Sequence, residues 1–202
     1  GNAFAAGSRV ELRERVDRSA FLSGGTVTMA GSVGRNLYAA GGEVRIEGEV
    51  EGKARAAGGK IRVSPEARIV GSAAFAGDSI EVDGAVGRRL RAFGDTIVIN
   101  GRVGGDVEVA GENIRIGPDA RIDGRVEYRS SRDIEVDPAA QVAGGVSELQ
   151  QERRWLRKMG RAATIFGGAT ISFGMVLLGA LLIFAMPRFS REAGTTILQK
   201  PW

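Results

Sequence analysis

The chain has 202 residues, enough for one domain and an appendage, with 28 Lys/Arg against 24 Asp/Glu. It holds no Cys and no His, which excludes disulfides, thiolate metal sites, and the commonest general base and zinc ligand. Gly is frequent at 31 residues, but with 5 Pro and no Gly-X-Y period neither collagen nor low-complexity disorder fits.

From Ala3 onward one unit recurs. Taking one glycine per unit as an anchor gives Gly7, Gly24, Gly41, Gly58, Gly77, Gly94 and Gly111, spaced 17 residues apart except for one step of 19. Apolar residues fall four and two positions before each anchor, as in Leu37/Ala39, Ala73/Phe75 and Val107/Val109. They fall again three and five positions after it, as in Val44/Ile46, Ile97/Ile99 and Ile114/Ile116. A further apolar residue closes each unit: Val16, Val33, Val50, Ile69, Val86, Val103 and Ile122. An eighth unit follows with Val126/Tyr128, Ile134/Val136 and Val142, where Ser130 replaces the glycine.

Apolar pairs two apart with polar residues between them are short strands with one buried face. Three such segments per unit, separated by corners, predict a triangular coil. At one corner Gly31, Gly48, Gly84 and Gly101 hold a shared offset, where a turn can need positive φ. Longer units replace that glycine turn with SPEARI, GPDARI and DPAAQV, built on Pro65, Pro118 and Pro138. One unit cannot bury its own face, but stacked units can. The expected fold is therefore an all-β, right-handed parallel β-helix over residues 1–146, in about eight turns of 17–19 residues and about 40 Å long. The apolar offsets run 2, 5, 2, 4 rather than in the hexapeptide rhythm of left-handed coils.

The phrases LYAAGGEVRIEGEV, VGGDVEVAGENIRIGPDARIDG and VEYRSSRDIEVDPAAQVAGGV resemble the bactofilin, or polymer-forming cytoskeletal, family. The likeness is greatest to its membrane-attached members, in which a repeat rod precedes apolar helices, and covers roughly residues 3–190. It implies a small right-handed β-helix that assembles end to end as a scaffold, with no catalytic residues to carry over. Typical soluble members lack a membrane span.

After the repeat, SELQQERRWLRKMGR opens with Ser147 and Gln150 in a capping-box spacing, predicting a basic juxtamembrane helix over 147–161. Ala162–Met186 then runs 25 residues without a charge, predicting a transmembrane α-helix over 162–187 with Trp155 at the interface and a membrane-proximal tail over 188–202. Residues 147–202 carry eight bases and three acids, whereas residues 1–146 carry twenty bases and twenty-one acids. The basic excess thus flanks the apolar segment, which points to membrane lipids rather than nucleic acid. Five bases before the span and three after it favour a cytoplasmic rod. The start at Gly1, without Met, suits a chain freed of a signal peptide or trimmed, and favours the periplasmic side of a bacterial cytoplasmic membrane. The ending ILQKPW resembles the approach to a further helix in relatives.

Two constellations are candidate partner contacts. Phe4, Phe21 and Tyr38 share the offset three before the anchor and are expected to point outward and stack on consecutive turns. Gly160, Thr164, Gly168 and Ser172 form a small-residue stripe along the span that could seat a neighbouring helix, or reflect the ordinary composition of membrane helices. No cofactor, metal ligand set or catalytic group is evident. Acyltransferase and carbonic anhydrase β-helices depend on His, and units this short leave no room for a polysaccharide-cleaving groove. The expected function is a membrane-anchored, non-catalytic scaffold that binds other membrane-protein subunits or copies of itself. The alternative is a cell-wall or surface-glycan binding module using the aromatic ladder.

Overall fold

The computed structural model describes residues 1–149, and these form a parallel β-solenoid with no helix. The first strand of each turn pairs in parallel with its counterpart one turn later, from Ala3–Leu12 to Val146–Glu148, giving nine rungs. Two-residue strands from Arg15–Val16 to Gln141–Val142 make a second, 8-stranded sheet along another side. The anchor spacing read from the sequence is the strand register: Gly7 pairs with Gly24, Gly24 with Gly41, Gly41 with Gly58 and Gly58 with Gly77.

Two of the three expected sides merge in the early turns. Ala3–Leu12, Ala20–Met29, Leu37–Ile46, Ala54–Val63 and Ala73–Val82 are each one ten-residue strand that bends at the anchor glycine. The inward alternation changes phase across that glycine, as from Leu37 and Ala39 to Val44 and Ile46. From the sixth turn the side divides into four-residue pieces, Leu90–Phe93 and Thr96–Ile99 being the first pair.

The core is one continuous column of apolar side chains, and no polar or charged residue is buried among the described residues. Several turns pair a large with a small residue at their two leading inward positions. Leu37 sits with Ala39, Leu90 with Ala92, and Ala73 with Phe75, whose ring lies between Ala56 and Ala92 of the adjacent turns. That alternation lets a buried phenyl fit a coil of constant width.

Glycine proves necessary for a reason other than the expected one. Gly31, Gly48, Gly84 and Gly101 do not have positive φ; Gly145, at 76°, does. What they supply is clearance. A Cβ at Gly48 would fall inside the carbonyl oxygen of Gly31, and one at Gly101 inside that of Gly84. The anchors behave alike, with a Cβ at Gly41 placed 2.5 Å from the Gly24 carbonyl oxygen. Glycines stack because successive turns approach too closely for a side chain.

The proline turns are i to i+3 turns. Ala67, Ala120 and Ala140 donate to the carbonyls of Ser64, Gly117 and Asp137 at 2.9, 3.2 and 3.0 Å, with Pro65, Pro118 and Pro138 presetting the second position. The two added residues also drop Ala67 and Ala120 into the core.

Ser147 does not begin a helix. Gly145 turns the chain so that Val146–Glu148 pairs with Val126–Tyr128, and Leu149 donates to the Tyr128 carbonyl at 2.8 Å. Pairing the open backbone edge of the preceding turn outweighs the local capping signal. The β unit therefore runs to Leu149, past the expected boundary at 146. The remainder of the expected juxtamembrane helix, the span at 162–187 and the tail lie outside the described residues.

Candidate interaction surfaces

Inward columns are dictated by burial, so the function of this solenoid has to be sought in the columns that alternate outward. On the first side these are the positions three and one before the anchors. The former reads Phe4, Phe21, Tyr38, Arg55, Ala74, Arg91, Glu108 and Glu127 down successive turns. The latter reads Ala6, Ser23, Ala40, Ala57, Ala76, Phe93 and Ala110. The second column, with the three rings of the first, makes an apolar strip, with Phe4, Phe21 and Phe93 exposed by 73%, 37% and 41%.

The strip stands out against its surroundings. Outward positions on the other sides are mostly polar or charged, many of the charges in pairs, although Val70 and Val136 are exposed there too. Arg62 bonds Glu81 on the next turn, Arg115 bonds Glu135 at 3.1 Å, and Arg68 lies 3.9 Å from Glu49. These exposed pairs keep the surface solvated and contribute little stability each. Arg13 grips Glu11 through Nε at 2.7 Å and Nη2 at 3.0 Å. That hydrogen bond holds the Glu11 carboxyl below the usual carboxylate range and raises the Arg13 guanidinium.

Phe4, Phe21 and Tyr38 do stack as the sequence suggested. Their centroids are 4.8 Å apart in both steps, with planes at 6° and 3°. The separation equals the strand spacing, so the ladder follows from register. Arg55 closes it, with its guanidinium carbon 5.6 Å from the Tyr38 centroid and Nη1 donating to Tyr38 Oη at 3.4 Å. Ring faces are therefore turned toward one another and ring edges toward solvent. Trp155, Gly160, Thr164, Gly168 and Ser172 lie outside the described residues.

The sequence reading missed the alanine column beside the rings. Its signal was present: an apolar residue at the one odd position where polar residues alternate elsewhere. A second surface is the outer edge of Ala3–Leu12, which pairs with Ala20–Met29 on one side only. There Ala5 is exposed although its counterparts Leu22, Ala39 and Ala56 are buried. Among the described residues no group of three or more Asp or Glu side chains comes together as a metal site would require. No protein-family model, curated protein or solved structure matches the chain.

Proposed function

We propose that the chain is a non-catalytic structural subunit: a right-handed β-helical scaffold of the bactofilin type, held at a bacterial cytoplasmic membrane by the apolar segment 162–187. On this reading the solenoid stands on the periplasmic side. It organises a membrane-protein assembly, or polymerises with its own copies. The observation that carries the reading is the apolar strip on a solenoid whose other sides are mostly polar or charged. Outward alanines aligned along successive turns are an arrangement for contact, since, unlike the stacked rings, they contribute nothing to a solvated rod.

The glycan alternative has less to support it, since the outer face of Phe4 is the ring face that the ladder leaves open. Sugar recognition by aromatic side chains uses open ring faces, and here stacking covers them on both sides of Phe21. The right-handed coil is supported by the usual handedness of parallel β connections.

The test is a photo-cross-linking residue introduced into the full chain in its own membrane, at Ala57 on the strip or at Arg102 on a charged side. The expected result is cross-linked protein from position 57 and none from position 102, its mass separating a second copy from another subunit. Equal yields from both positions would remove the strip as the contact surface.

A further inference from the structure

Below the rings the first outward column changes its chemistry at the fourth turn. The rings end at Tyr38 and the acids begin at Glu108; between them stand Arg55, Ala74 and Arg91 in register. The corner beside them repeats the pattern with Lys53, Ser72 and Arg89. Two cations thus project from one turn and two from the turn after next, about 9.6 Å away, while Ser72 and Ala74 keep the floor between them low. The result is a notch of about 210 Å³ whose walls are Lys53, Arg55, Arg89 and Arg91, all exposed.

The backbone supplies an independent observation. Elsewhere along this corner an Asn or Asp oxygen accepts from the amide one turn later: Asn2 from Ser19 at 3.1 Å, Asn36 from Lys53 at 3.0 Å, and Asp106 from Arg125 at 3.2 Å. Where the column holds Ser19, Lys53, Ser72 or Arg89, no such bond forms. Two of the amides left without an acceptor among the described residues, those of Ser72 and Arg89, belong to the notch. The ammonium of Lys53 cannot accept. The notch therefore gathers four cations, two free amide donors and a hydroxyl.

Existing partners neutralise one wall of it and leave the other. Arg91 reaches Glu108 at 2.9 Å and Arg89 reaches Asp106 at 3.6 Å, both exposed pairs on the far wall. Lys53 and Arg55 have no carboxylate partner among the described residues. Donors on two walls and the floor suit a tetrahedral oxyanion, whose several oxygens can accept from all three at once; a planar carboxylate has two.

We propose that this notch is a phosphoryl-binding site, occupied by a lipid headgroup or by free phosphate. The site lies beside the strip but does not depend on its contact role. The test uses the full chain in dodecyl maltoside at neutral pH and low salt, following the Ser72 and Arg89 amide resonances. One arm titrates inorganic phosphate, the other short-chain phosphatidic acid with phosphatidylcholine as the zwitterionic control. Both amides should shift saturably. The double variant Lys53→Gln/Arg55→Gln should bind about tenfold more weakly, with its melt unchanged. Arg68→Gln, the same loss of charge on another side, should bind as the wild type. Phosphatidic acid binding at least about tenfold more tightly than inorganic phosphate assigns a headgroup; equal affinity assigns free phosphate. Amides unmoved in both arms overturn the proposal, as does unchanged affinity in the double variant.

Discussion

The inner and outer columns of the first side share the same strands and the same register, yet they obey different rules. Inside, Ala54, Ala73, Leu90 and Val107 vary in size but never in polarity, because each is fully covered by the turns on either side. Outside, the same strands carry rings, then cations, then acids, and beside them alanine. Burial does not select rings, cations or acids at these positions, so on the proposed reading their order serves contact. Inner and outer substitutions on neighbouring positions should therefore separate stability from association.

The largest contrast is polarity in the core. Ile97 is completely buried between Ile80 and Ile114. Ile97→Asp places an unpaired carboxylate there and should cost on the order of 4–5 kcal/mol or more, melting the middle turns. Circular dichroism showing a full β spectrum and an unshifted melt would mean the inward assignment is wrong. Next in size, Phe75→Ala should leave a cavity and cost about 3–5 kcal/mol in urea unfolding. Its outward counterpart Phe93→Ala should stay within about 0.5 kcal/mol. Similar losses at both positions would erase the distinction between the two columns.

The glycine columns sharpen the comparison further. Gly58→Ala sets a methyl against the Gly41 carbonyl and should cost about 1–3 kcal/mol, although alanine usually favours folding over glycine. A stabilised Gly58→Ala variant would show that the turns leave room for a Cβ and that clearance does not select glycine here. Phe21→Ala removes both ring stacks and should cost about 1 kcal/mol, read by the same unfolding. The smallest effect is at Glu11. With its carboxyl pKa lowered in the fold, its contribution is present above the ordinary carboxylate value and fades as pH falls through the lowered one. Arg13→Gln should move the Glu11 carboxyl resonance titration upward with little change in the melt.

Most of this coil was legible because its period is strict and its inward residues are apolar without exception. Register followed from counting, and Phe4, Phe21 and Tyr38 were placed correctly since alternation leaves only two directions for a side chain. Three things were not legible. The clearance role of Gly48 and Gly101 depends on how closely successive turns approach, which no local pattern encodes. The burial of Ala67 and Ala120 comes from residues added at a corner, outside the alternating positions. Ser147 has a capping-box spacing, and its strand depends on a hydrogen-bonding edge contributed from twenty residues earlier. Ala40, Ala57 and Ala76 were visible as letters, but alanine is unremarkable until its neighbours in space are known to be alanine too.

The most direct measurement is made on the triple variant Ala40→Lys/Ala57→Lys/Phe93→Lys, expressed as the full chain and isolated in mild detergent from its own membrane. Assembly size and thermal melt are recorded on the same sample. The expected result is an unchanged β-sheet melt together with loss of the partners or copies that accompany the wild type. An assembly of undiminished size would contradict the assignment of the strip, and a collapsed melt would contradict the separation of outer from inner columns.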